Sequence, residues 1–184
     1  MQTTESLKRR MKSAGDLLSV VKTMKALAAV SIRQYQKAVD SLKDYNRAVE
    51  MGLQVVLKER MGATTNRKGA AIKRLGVIVF GSDQGLCGQL NEQVSSFTID
   101  FIRSSGVKKE NRKVLCIGAR VADYLEDAGQ PIDELMSTPG STAGIMPLVQ
   151  EIIMVIDEWH FKYNVDHFLL FYNKYLSGAN YSPH

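Results

Sequence analysis

Residues 7–56 read LKRRMKSAGDLLSVVKTMKALAAVSIRQYQKAVDSLKDYNRAVEMGLQVV. An apolar residue returns every third or fourth position, at Leu7, Met11, Ala14, Leu18, Val21, Ala28, Ile32, Tyr35, Val39, Leu42, Val49, Leu53 and Val56. Only Lys25 and Asn46 interrupt the series. A repeat averaging about 3.5 residues predicts a helix that supercoils against a partner helix. No proline lies between Glu5 and Arg60, and no glycine between Asp16 and Met51. At about 1.5 Å per residue the segment makes a rod of roughly 80 Å, a shaft or arm rather than part of a compact core. The alternative is two shorter helices folded back at Ala28–Ser31 or at Gly52; against it, no Pro or Gly interrupts Asp16 to Met51.

Burying such side chains is worth about 1.5–3 kcal/mol each. Over the whole stripe that reaches on the order of 20–40 kcal/mol before entropy costs, against the roughly 5–15 kcal/mol net stability of a domain. The stripe therefore calls for a partner. The residues expected to do the pairing are Leu7, Met11, Leu18, Val21, Ala28, Ile32, Tyr35, Val39 and Leu42.

The 184 residues suffice for this arm and one medium domain, and 45% of them are hydrophobic. The net charge of +5 is unevenly placed: residues 1–60 hold 12 Lys/Arg against 6 Asp/Glu, and residues 61–184 hold 12 against 13. The excess basicity thus sits on the arm, with Lys8, Arg9, Arg10 and Lys12 near its start. A basic helix suits acidic protein loops, nucleic acid, anionic lipid, or simply water on the polar side of a coiled coil. Cys87 and Cys116 form no CxxC or Cys/His cluster and are expected to act as small buried hydrophobes in a reducing compartment. No run of 18 apolar residues and no charged-then-apolar leader is present, so the expectation is a chain neither membrane-spanning nor secreted.

Residues 61–70, beginning Met61-Gly-Ala-Thr-Thr-Asn-Arg-Lys-Gly69, read as a linker. Residues 71–184 then alternate strand and helix. Leu75–Phe80, Lys113–Gly118 and Asp166–Tyr172 carry short apolar runs. Leu90–Ile102, Ala119–Ala128 and a segment from Pro147 to Tyr163 carry helical spacing, the first through Leu90, Val94, Phe97 and Phe101. The expected fold is α/β: a long N-terminal coiled-coil helix over 1–60, then a Rossmann-like three-layer domain with a mainly parallel sheet. The tail Ser177–His184 shows no clear element.

The glycine-bearing turn Gly81–Gly88 follows the first strand, where α/β domains often bind phosphate. It lacks the lysine and hydroxyl of a P-loop and the spacing of a dinucleotide fingerprint. The glycines are instead expected to permit a tight strand-to-helix turn that displays Ser82, Asp83 and Gln84. His160, His167 and His184 have no metal-ligand spacing, and no G-x-S-x-G elbow occurs. Asp133-Glu134 and Asp157-Glu158 read as surface charge, and Asp123, Glu126 and Asp127 as the polar face of the second domain helix. No catalytic residue, cofactor site or metal site is expected.

Two segments resemble the gamma subunit of F-type ATP synthases, the central-stalk rotor. Lys22-Thr-Met-Lys-Ala-Leu-Ala-Ala29 is similar to that family's K-A-M-K-M-V-A-A, inside a helix that opens Arg9-Arg10-Met11-Lys12-Ser13. Ser82-Asp-Gln-Gly-Leu-Cys-Gly-Gln-Leu-Asn91 is similar to S-D-R-G-L-C-G-G-L-N, and Tyr172-Asn173-Lys174-Tyr175 adds a weaker match. The resemblance implies a non-catalytic subunit that couples proton- or sodium-driven rotation to ATP synthesis and hydrolysis in an alpha/beta ring. It implies alpha and beta subunits, an epsilon-type subunit and the membrane c-ring as partners. It also implies a peripheral position on the cytoplasmic (or matrix/stromal) face of the energy-transducing membrane. By resemblance Met24 and Lys25 face acidic loops of the catalytic subunits, Arg33 lies near the same collar, and Ser82, Asp83, Gln84, Gly85 and Leu86 form a subunit contact.

Three features depart from the family pattern. Asp16-Leu17-Leu18-Ser19-Val20 replaces a more polar N-T-x-K-I stretch, Gln84 replaces an arginine, and the chain stops at His184, before the family's C-terminal helix. A short form of the rotor is thus expected, its stripe pairing two chains through their arms. The rival reading is a basic coiled-coil protein that binds nucleic acid or serves as a scaffold. It lacks aromatic stacking residues on the basic face, since Tyr35 lies on the apolar stripe and leaves Tyr45.

Overall fold

A computed structural model describes residues 4–61, 72–178 and 180–184, without the side chains of residue 44 and residues 56–61. The chain divides into two compact units, Met1–Asn66 and Arg67–His184. Apart from Met61, the expected linker and the domain's first residue lie outside the described residues.

The first unit is a single α-helix, α1, Thr4–Met61, of 58 residues. It runs through Ala28–Ser31 and through Gly52 without a turn, so the folded-back alternative does not occur. Fifty-eight residues at about 1.5 Å rise make roughly 87 Å of helix.

The second unit contains β1 Leu75–Phe80, α2 Leu90–Ser104, β2 Arg112–Ile117, α3 Ala119–Asp127, β3 Glu134–Met136, α4 Ile145–Tyr163, β4 His167–Phe171, β5 Asn173–Ser177 and β6 Asn180–Pro183. The order β3-β2-β1-β4 forms one sheet, parallel throughout. In its register Val77 stands beside Val114 on one side and Leu169 on the other. Period-2 alternation divides the strands between two apolar layers. Leu75, Val77, Val79, Val114 and Cys116 pack with Val94, Ile102, Val121 and Leu125 of α2 and α3. Ile78, Leu115 and Ile117 pack with Ile152 and Trp159 of α4. This is the expected three-layer arrangement.

Four local expectations need correction. α2 buries Asn91, Val94, Ser95, Thr98, Ile99 and Ile102, whereas Phe97 and Phe101 lie at the edge of that face, against the Phe171 ring. The tail is not featureless: β5 and β6 pair antiparallel, and Tyr172 and His184 exchange backbone hydrogen bonds. Glu134 opens a short strand, and Asp133 is more than surface charge, because its carboxylate accepts from the Val114 N–H at 2.8 Å and from Lys113 Nζ at 2.6 Å. Cys116 is fully buried, as expected of a small hydrophobe, but Cys87 is half-buried and hydrogen-bonded.

Candidate interaction surfaces on the helix and the strand-to-helix turn

Along α1 no described side chain is buried; Ser6, Tyr35 and Ala38 are half-buried and the rest are exposed. The stripe is therefore open: Met11 is 68% exposed and Ile32 64%. Met24, Lys25 and Arg33 are likewise exposed. Polar contacts are local, within one turn: Thr23 Oγ1 donates to the Ser19 carbonyl, and Asp40 accepts from Gln36 and Lys43. The hydrogen bond from Lys43 holds the Asp40 carboxyl below its ordinary value. Asn46, one of the two breaks in the stripe, donates to Glu50 at 2.9 Å.

The turn after β1 is held by its own side chains. Gly81 N–H donates to the Ile117 carbonyl, which ties the start of the turn to the end of β2. A Cβ on Gly81 would lie 2.4 Å from Val121 Cβ, so only glycine lets α3 approach this closely. Asn91, almost fully buried in the first turn of α2, reaches back: its Oδ1 accepts from Ser82 N–H, and its Nδ2 donates to Ser82 Oγ at 2.9 Å and to Cys87 Sγ at 3.3 Å. Ser82 Oγ donates in turn to the Gln84 carbonyl at 2.7 Å.

Asp83 points into the domain. One carboxylate oxygen accepts from Ala119 N–H, at the start of α3, at 2.9 Å, and the other accepts from the Thr138 N–H and hydroxyl, both at 2.7 Å. Burial pushes its pKa up, yet the hydrogen bonds from Thr138 and Ala119 outweigh burial and hold the carboxyl below its ordinary 3.8. Gly118 makes the arrangement possible, with φ +111° and a position where an added Cβ would stand 2.7 Å from Ser82 N.

Of the five turn residues read as a contact, Ser82 and Asp83 are thus committed within the domain, while Gln84, Gly85 and Leu86 are exposed. Leu86 is 88% exposed and holds φ +61°, a left-handed conformation uncommon for leucine. Beside it a cleft of about 430 Å³ runs between the turn and α3, lined by Cys87, Asn91, Arg120, Asp123 and Tyr124 among others. The helix residues Met24, Lys25 and Arg33 belong to the other unit and are described separately from this turn.

Sequence reasoning missed Asn91, Ala119 and Thr138 as the supports of the turn. Asn91 carried a signal, a polar residue closing the decapeptide at a helix start; nothing near Thr138 marks it. Among the described residues no group of three His, Cys, Asp or Glu side chains is placed to hold a metal ion, and no helix is long and apolar enough to cross a membrane.

The family described as ATP synthase matches residues 3–184. The gamma chain of the ATP synthase of Nitrosomonas eutropha is 26% identical over all of this chain and 63% of its own length. The gamma chain from Pasteurella multocida is 24% identical over all of this chain and 63% of its own. This chain thus spans about 63% of the length of these relatives. A solved structure titled as the central stalk and c-ring of the Tetrahymena thermophila mitochondrial ATP synthase has the same fold, with a TM-score of 0.67 at 13% identity, covering 90% of this chain and 70% of that one. These likenesses favour the stalk reading over the nucleic-acid-binding or scaffold alternative. With its long open helix, its hydrogen-bonded turn and a match over residues 3–184, the chain belongs to the ATP synthase family, and the relatives it resembles there are gamma chains.

Proposed function

We propose that this chain acts as the non-catalytic gamma-type subunit of an F-type ATP synthase, the rotor that couples ion-driven rotation to ATP synthesis or hydrolysis. The observation that carries this is α1: 58 unbroken helical residues whose apolar stripe is exposed to solvent. A helix of this kind is stabilised by what surrounds it rather than by its own packing. In the complex its surroundings are the alpha and beta subunits, with Met24 and Lys25 against acidic loops of the catalytic subunits and Arg33 in the same collar. The lysine that breaks the stripe then becomes a charge contact. The ring subunits perform the chemistry, and the asymmetry of the rotor sets which ring site is open. Gln84, Gly85 and Leu86 provide the contact surface of the turn, held in shape by Ser82 and Asp83. The epsilon-type subunit and the membrane c-ring complete the set of partners, which places the chain at the periphery of the energy-transducing membrane, on its cytoplasmic (or matrix/stromal) face.

Reconstitution tests the reading. Mixed with alpha and beta subunits, the chain should form a complex that hydrolyses ATP faster than the ring alone, and Lys25→Glu should lower that rate. Absence of a complex would sink the proposal. Away from the ring, the same stripe is expected to pair two copies of the chain. Sedimentation should then show a dimer that the L18E/V21E double variant dissociates.

A further inference from the structure

The outer surface of α4 contradicts the usual rule for a helix lying on a sheet. Its inner side is committed: Ile152 and Trp159, seven positions apart, are buried against β1 and β2. The side turned away from the sheet should then be polar. On α2 and α3 it is mostly so: Glu92, Ser96, Asp100 and Arg103 are exposed on the first, with Phe97 and Phe101 at the edge, and Asp123, Glu126 and Asp127 on the second, beside Tyr124. On α4 the corresponding positions are Met146, Ile153, Met154 and Phe161, with Met154 69% and Phe161 78% exposed. Spacings of seven and eight residues place these side chains along one side of the helix. They form a row of exposed apolar side chains, interrupted by the exposed Gln150 and Asp157.

The charges beside the stripe are of one sign. Glu151, Asp157 and Glu158 lie three or four positions from Met154 and therefore surround it. The nearby cation is Lys162, which pairs with Glu158 at 3.0 Å. Three carboxylates against one lysine leave a negative border around a flexible apolar knob. Such a border repels an anionic lipid surface and favours an apolar surface carrying cations. Methionine adapts its shape to whatever it meets, which suits a contact surface.

We propose that the outer face of α4 is the seat of a separate protein of the assembly, one that presents an apolar ridge with lysine or arginine beside it. The inference rests on the proposed function in requiring an assembled complex, and it concerns a surface that the proposal leaves unassigned. Met154 and Phe161 enter the apolar ridge; Glu151 and Asp157 set the orientation through the partner's cations.

The experiment places a photoreactive benzoylphenylalanine at position 154 of the full chain, assembled with alpha, beta and epsilon-type subunits and the c-ring. Irradiation is expected to give one adduct, to one partner chain, at a peptide with lysine or arginine within a helical turn of the attachment point. The double variant M154E/F161E should weaken binding of that partner at least about tenfold while leaving the unfolding midpoint reported by Trp159 fluorescence unchanged. Charge reversal by E151K/D157K should also weaken it, with recovery when the partner's cation is changed to glutamate. An adduct joining two copies of this chain, an adduct to lipid, or no adduct in a complex with full ATPase activity overturns the inference alone. So does unchanged affinity of M154E/F161E. A wild-type chain that binds none of these subunits overturns the proposed function as well.

Discussion

Leu115 in β2 and Leu18 in α1 are the same side chain in opposite circumstances: the first has no exposed surface, the second keeps 55% of its own. The α/β unit closes its apolar residues into two layers around a parallel sheet, so each core residue has neighbours from several elements. α1 has one element only, and its stripe waits for neighbours from outside the unit. The difference separates two meanings of an apolar residue. In the domain it stabilises the fold of the isolated chain; on the arm, under the proposed function, its burial awaits a partner.

The chain carries a tool for testing that division. Its one tryptophan, Trp159, lies 2% exposed in the core of the α/β unit, whereas far-ultraviolet circular dichroism registers α1 as well. Gly118→Ala should have the largest effect on the Trp159 unfolding midpoint. It forces a side chain into φ +111° and against the Ser82 backbone, at a cost of about 3–5 kcal/mol. Leu115→Ala should follow at about 3 kcal/mol, from lost burial plus the cavity left behind. Asp83→Asn should lower stability by about 1–2 kcal/mol at neutral pH, through weaker hydrogen bonds at the start of α3 and at Thr138.

The Asp83 carboxyl also has a pH signature. Because its pKa in the folded state lies below the ordinary 3.8, its contribution is complete well above that value and disappears as pH falls through the folded-state pKa. The wild-type midpoint should therefore fall below about pH 5 more steeply than that of Asp83→Asn. Smallest of all, Leu18→Ala should leave the Trp159 midpoint unmoved and weaken only assembly or self-pairing. A Leu18→Ala loss as large as that of Leu115→Ala would break the comparison. Thiol labelling sharpens it further: burial pushes the Cys116 thiol up to about 12, so only half-buried Cys87 should react until the domain opens.

What the sequence disclosed, and what it withheld, follows the same division between local and distant causes. α1, β1, α2, β2, α3, α4 and β4 are written in periodicities that each segment carries by itself, and the ends of all but α1 fall within two residues of those expected. β3 is three residues long and has no apolar run, so its identity comes from pairing with Leu115, Cys116 and Ile117. The β5–β6 hairpin is polar, contains Pro183 and turns at Gly178, where φ is +59°; alternation of apolar residues gives no warning of it. The turn was legible as a motif but not as a mechanism. Its glycines pointed to tight packing, whereas the inward aim of Asp83 depends on Ala119 and Thr138, 36 and 55 residues further on.

That inward carboxylate has a consequence for the domain as a receptor. The start of a helix following a parallel strand is a natural seat for an anion. Here, at α3, Asp83 already supplies one. A group tethered by the chain acts at an effective concentration of about millimolar or more, without diffusing away. A free phosphate arriving from solution would have to displace this tethered carboxylate. The start of α3 is thus filled from within the domain, and the carboxylate that fills it also holds the shape of the turn.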